Sequence, residues 1–358
     1  MKKLIIFAIF VFSLVCLYGE TNQTSWKVLE QATRALDEDD PGSALRYAEI
    51  AKELRHNEYQ DKLDTLESAI IPLPVQRVGD LIPDVLNVLE SRNSYDAANL
   101  IQDLLDKKGT SFFSNSISNM QSYLERFLEY PEADYLIGKV YMYEGEYEIA
   151  ETYYTRALEN ADILDVPDTQ LDIRFDLVYL AEIQRDVNLY EEYLLSILEQ
   201  SSFYAPNGEN YNYSLATINA AKQTRLADKY FLLYRIDSPI FIPAYYKIAN
   251  FYDTFNQEEK AFFAFTVGTL ASFTRINDIL SMRNYEYQYS DLDNFFKLAV
   301  TYSDINDWLL SNDIWNGFLV FADYVNKYEN DLLANEIYTC IEKYCPVTSL
   351  QNIAKKSH

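Results

Sequence analysis

Histidine, glycine, proline and positive charge are all scarce in this 358-residue chain: 2 His, 9 Gly and 10 Pro, with 30 Lys plus Arg against 55 Asp plus Glu. His56 and His358 are its imidazoles, and no nucleophile elbow, phosphate-binding glycine loop or zinc-ligand spacing occurs. A catalytic reading therefore has no site to stand on, and the chain is expected to be neither an enzyme nor a holder of a cofactor or metal. The run Asp37-Glu38-Asp39-Asp40 fails as a calcium loop, because Pro41 and Ala48 stand where oxygen ligands are needed. A formal net charge of −25 repels phosphate backbones and anionic lipid, which excludes nucleic acid as a partner. So few glycines argue against sheets and barrels, whose turns consume them.

What is present begins with the N-terminus. Lys2 and Lys3 precede an apolar run from Leu4 to Val15, and polar sequence starts at Glu20. This is the layout of a secretory signal over residues 1–19, with cleavage expected after Gly19. The run is short of the ~20 apolar residues that span a bilayer. Cys16 follows a β-branched Val15, which disfavours a lipid anchor there. The expected location is outside the cytoplasm: periplasmic, cell-envelope or secreted.

Beyond residue 20 the apolar spacing is helical. Leu63, Leu66 and Ile70 recur at three and four, as do Leu81, Val85 and Leu89, and Ile183, Val187, Tyr190, Leu194 and Leu198. The prolines fall at the starts, ends or gaps of these patterns. Asp40-Pro41-Gly42 reads as a cap opening a helix. No segment shows the strict alternation of a strand.

The clearest unit runs from Pro131 to Leu164 and carries Ile137-Gly138, Tyr141, Gly145, Tyr147, Ala150, Tyr154 and Ala157. It resembles the tetratricopeptide repeat, a helix–turn–helix unit of about 34 residues. The resemblance implies that Gly138 and Ala150 meet where the two helices cross, with Tyr141 and Tyr154 filling the gaps beside them and Ala157 a further packing position. Asp134 and Asp162 stand where the family has tryptophan and proline. Weaker copies in the same register span Ser25–Glu58, Gly79–Phe112, Arg174–Asn207, Ile242–Arg275 and Trp315–Thr348, with Gly208–Phe241 a doubtful one through Ala227 and Phe231. Their packing positions include Ala249, Ala261, Phe265, Ala334 and Tyr338. Tyr59–Ile70 and Phe112–Tyr130 are expected to be extra helices between repeats, and residues 276–312 fit no register. The expected fold is an all-α solenoid of antiparallel helix pairs, divided as 25–164 and 165–348 with a tail at 349–358.

In such solenoids first-helix residues line the concave face. By that resemblance Tyr135, Lys139, Met142 and Tyr143 would line a partner-binding groove, as would Tyr246, Asn250 and Asp253. The chain has 31 Tyr and 20 Phe, mostly for the core, but a tyrosine also suits a binding surface with its wide ring and hydrogen-bonding tip. An acidic, aromatic groove suits a basic or neutral protein or peptide. The expected function is a non-catalytic adaptor; a small-molecule-binding accessory of a transporter or envelope complex is the alternative. Ala261–Val267 reads as a buried second helix rather than a membrane contact. Cys340 and Cys345 lie close enough for a disulfide only if Pro346 bends the chain out of helix.

Overall fold

The computed structural model describes residues 24–73, 77–223, 228 and 239–357. The signal expected at 1–19, Cys16, Ala227, Phe231 and His358 lie outside them. The fold is all-α: the described residues contain helices, short 3₁₀ turns and one isolated bridge between Arg77 and Ser116. No described helix is long and apolar enough to cross a membrane. The chain divides into two compact units, with the boundary between Leu180 and Ala181.

The first unit holds α1 (Ser25–Asp37), α2 (Pro41–Ile70), α3 (Val78–Ser91), α4 (Tyr95–Lys108), α5 (Ile117–Glu125), α6 (Pro131–Glu144), α7 (Tyr147–Glu159) and most of α8 (Thr169–Gln184). Asp40 caps α2 by accepting from Ser43 N at 3.0 Å, and Pro41 occupies the first helical position, where its missing N–H costs nothing. Contrary to expectation, α2 does not break near Tyr59. It runs unbroken for 30 residues, because no glycine or proline interrupts it between Gly42 and Pro72. Its first half packs in layers against α1 and α6: Val28, Ala51 and Ala133; then Ala32, Ala48 and Ile137; then Ala35, Ala44 and Val140. Alanine in each layer lets the helices approach closely. The second half carries Leu66, Ala69 and Ile70 into a separate core with Val85, Leu89, Ile101 and Leu124. Pro83 does lie inside a helix, α3, against expectation. It sits one and a half turns in, so it deprives only the carbonyl of Gly79, near the helix start, of a partner.

The second unit holds the end of α8, then α9 (Val187–Leu198), α10 (Tyr211–Gln223), α11 (Ile242–Thr254), α12 (Glu258–Arg283), α13 (Leu292–Ala299), α14 (Ser303–Ser311), α15 (Ile314–Lys327), α16 (Asp331–Tyr344) and α17 (Thr348–Ser357). Two corrections concern the gaps in the register. The segment from Ile276 is partly the continuation of α12, a 26-residue helix, followed by the short α13 and α14. The supposed tail is α17, which packs against α15 and α16 and buries Ala354. Ala261 to Val267 lies within α12 and is buried apart from Phe263, as the expectation for a second helix requires.

One device recurs at the turns between paired helices. Asp39, Asn93, Gly145, Arg185, Asn256, Asp313 and Glu329 each adopt a positive φ, between 53° and 81°, at the α1–α2, α3–α4, α6–α7, α8–α9, α11–α12, α14–α15 and α16-preceding turns. Only one of these seven is glycine.

Candidate partner-binding surfaces

The pair α6–α7 is the best-defined repeat. A Cβ added to Gly138 would lie 2.5 Å from the Tyr154 ring and 3.3 Å from the carbonyl oxygen of Ala150. An added side chain would therefore force the Tyr154 ring or the helix backbones to shift. Ala150, Tyr154 and Ala157 are buried on the facing side of α7. Tyr141 stacks on Tyr153 at 5.6 Å instead of entering the crossing. Gly145 closes α6 with a φ of +81°, a left-handed position that favours glycine.

The position that family tryptophan would fill is taken by Asp134, which is fully buried. Its carboxylate accepts from Lys52 Nζ at 2.8 Å and from Arg156 at 2.6 and 2.9 Å. One buried anion thus ties α2, α6 and α7 together. A second charged cluster lies nearby in the same unit. Arg55 is sandwiched between the Tyr59 and Tyr130 rings, at 4.3 and 4.9 Å, and donates to Asp165. Glu132 accepts from the Asp165 backbone N–H at 2.5 Å, and its proton affinity is raised chiefly by burial and then by Asp165. Sequence reading missed both clusters, since Lys52 and Arg55 lie 82 and 110 residues from their partners.

On the first-helix face of α6, Tyr143 is exposed and its hydroxyl reaches Asp39 at 3.4 Å. Lys139 stands over the Tyr135 ring at 4.4 Å. Tyr135 itself is buried and donates to Asp176 at 2.8 Å, so its ring faces the next helix, α8, and not a groove. Burial raises the proton affinity of Asp176, a shift that the Tyr135 bond and Lys139 oppose. Asp172 and Tyr179 extend this face along α8 and are exposed.

In the second unit, Tyr246 is also inside. Its ring fills the space left by Gly268 and Gly317, where an added Cβ would meet it, and its hydroxyl bonds Ser272 at 3.0 Å. Tyr246 thus packs the core, and it also forms part of the lining of the cleft that Asn250 borders. Asp253 is exposed and accepts from the Tyr324 hydroxyl at 2.6 Å. Asn250 does line a cleft, of about 490 Å³, together with Tyr190, Lys247, Phe251, Phe255 and Asn312. The aromatic wall is continuous: Tyr190 to Phe251 is 5.7 Å and Phe251 to Phe255 is 4.8 Å between ring centres. Phe255 and Val187 are each nearly half exposed, and Val187 carries the apolar wall beyond the cleft mouth. Lys247 reaches Glu182 at 3.5 Å, both side chains in solvent. Burial, followed by Glu182, pushes the Tyr190 phenol up to about 12, so it stays a neutral donor at any ordinary pH. The cleft can hold an apolar side chain against three rings, with amide and ammonium donors beside it.

Cys340 and Cys345 are both free thiols, buried, with Cys345 starting the extended link from α16 to α17. Burial pushes the Cys340 thiol up to about 12, which keeps it unreactive. No cluster of three or more metal-ligating side chains occurs among the described residues.

Two comparisons bear on these surfaces. Residues 131–162 match the model of the tetratricopeptide repeat. An uncharacterized protein of Treponema pallidum (strain Nichols) is 26% identical over 324 residues, covering 90% of this chain and 86% of its own.

Proposed function

We propose that this chain, which carries a tetratricopeptide repeat at 131–162, is a non-catalytic adaptor that holds a protein or peptide partner outside the cytoplasm. Such repeats serve as scaffolds for protein–protein interaction, and repeat arrays bind through extended surfaces with a few aromatic anchors. The observation that carries the reading is the cleft on α11, where Phe251, Phe255 and Tyr190 form an open aromatic wall beside Asn250 and Lys247. The exposed Phe255 and the half-buried Tyr190 and Phe251, beside hydrogen-bond donors, have the composition of a protein contact surface. The cleft opens to solvent beside Phe255, which lets a side chain of an extended segment enter it. Placement outside the cytoplasm rests on the signal-like pattern of residues 1–19 and is tested by sequencing the N-terminus of the protein made in its own host; a start at Glu20 supports it.

The binding test is site-specific photo-cross-linking in the producing cell, from positions 250, 254 and 255 and, as a control, from exposed position 307. One adduct seen from the cleft and not from 307, and lost in the Phe251→Ala, Phe255→Ala variant, is expected. Adducts independent of position would defeat the assignment.

A further inference from the structure

We infer that the first unit carries a second, separate docking cleft that takes a cationic side chain from a basic protein segment. It does not rest on the α11 cleft. The cleft has a volume of about 630 Å³ and lies where the start of α1, the middle of α2 and the α3–α4 turn meet. Its lining includes Trp26, Tyr95, Glu58, Asp61, Asp96 and Lys62. Trp26 and Tyr95 are each 56% exposed, unusual for large rings on the surface of a folded unit. Each therefore has ring area open to a ligand.

The charges select the ligand. Glu58 holds the start of α1, accepting from both the backbone N–H and the hydroxyl of Ser25 at 2.8 Å. The exposed carboxylates of Asp61 and Asp96 make no hydrogen bond or ion pair among the described residues. The one lysine of the lining, Lys62, sits with its ammonium 4.4 Å from the centre of the Tyr59 ring. Three carboxylates against the ammonium of Lys62, with that of Lys27 beside the Trp26 ring, still leave the cleft electronegative, in a chain already at −25. An ammonium or guanidinium between two ring faces and two unpaired carboxylates gains both cation–π and Coulombic attraction. Lys27 shows the first of these in place, its ammonium 5.3 Å from the Trp26 ring centre. An anionic or purely apolar ligand would meet repulsion or gain nothing from the carboxylates.

The test uses the purified protein and a fluorescein-labelled heptapeptide alternating Arg and Ser, with an alternating Glu and Ser peptide as control. Binding is read by anisotropy and by the tryptophan emission of the protein. The Arg peptide should bind and the Glu peptide should not. Asp61→Asn with Asp96→Asn should weaken binding about tenfold, and Trp26→Leu with Tyr95→Leu by a similar factor, a size within reach of desolvated cation–π and ion-pair contacts. Both pairs are exposed, so unchanged melting curves are expected and confirm an intact fold. Asp307→Asn with Glu259→Gln removes the same charge elsewhere on the surface and should change binding less than twofold, roughly the scale of diffuse screening. Equal weakening by the cleft and remote pairs would mean a diffuse acidic surface and overturn the site. Loss of a concentration-dependent dimer in the cleft variants would assign the surface to a second copy instead.

Discussion

The two units fill the same helix-pair architecture with different material. Of the eleven largest fully buried side chains among the described residues, Tyr130 and Tyr154 lie in the first unit and the other nine in the second. The second unit is packed by rings in contact: Phe273 on Phe295 at 4.8 Å, Phe296 on Trp315 at 5.3 Å, Phe262 on Phe321 at 6.1 Å. In the first, aliphatic residues fill the core of α3, α4 and α5, while α1, the first half of α2 and α6 are packed by alanine layers and closed by charge, with Arg55 and Asp134 both buried. Alanine brings helix backbones together but excludes little apolar surface, so other contacts must hold those helices in register. Aromatic rings exclude much more surface and demand only that glycine, as at Gly268 and Gly317, make room for them. Position is therefore specified by ion pairs in one unit and by ring shape in the other.

That contrast can be broken from either side. Phe296→Ala removes a ring wedged among Phe273, Phe295, Trp315 and Phe318, and should cost about 3–5 kcal/mol, read as a large drop in the melting temperature of the second unit. Asp134→Ala leaves Lys52 and Arg156 facing each other without their shared anion and should cost the first unit about 3 kcal/mol, near the low end for a buried pair because both cations keep some exposure. A small effect there would mean that charge does not specify the first unit. Gly138→Ala places a methyl group against Tyr154 and the Ala150 carbonyl and should cost about 1–3 kcal/mol, with Gly138→Leu costing more. An unchanged melting temperature would show that α6 and α7 do not meet at Gly138.

The smallest effect is a pH dependence. Asp176 binds its proton more tightly folded than at its ordinary 3.8, mainly because it is buried. The folded state therefore keeps that proton to higher pH than the unfolded state, and this contribution to stability is full below about pH 4 and lost as pH rises through the folded value. Asp176→Asn keeps an acceptor for the Tyr135 hydroxyl and removes the ionisation. The melting temperature of the variant relative to the native protein should rise across that interval; a flat difference would sink the assignment.

The repeat at Pro131–Leu164 was legible because its signal is local: small residues at Gly138 and Ala150, and Gly145 between them, mark a crossing and a turn within one unit. The long reach of α2 and α12 was not, since the repeat register ends at Glu58 and at Arg275 while the helical chain simply continues. Neither was the burial of Tyr135 and Tyr246. Periodicity places a ring on a helix face, and only the neighbouring helix decides whether that face is covered. Asp134 was legible as a departure from the family pattern but not as an ionic tie, because its partners come from other helices. The α11 cleft was half visible, through Asn250 and Tyr246; Tyr190, Phe251 and Phe255 carried no mark distinguishing them from core aromatics.

The left-handed turns between helices have a consequence for the state in which none of these contacts exist. Six of the seven such turns place Asp, Asn, Arg or Glu in a backbone conformation that glycine adopts without penalty. Each costs the folded chain something. A residue with a Cβ samples fewer conformations than glycine when the chain is denatured, so less disorder is surrendered on folding; at a positive φ the strain outweighs this saving, and at the other non-glycine positions the saving stands. With 9 glycines in 358 residues, the denatured ensemble is comparatively restricted along its whole length. Part of what steadies these helix hairpins is therefore set before any helix forms, in the narrowness of the ensemble from which they start.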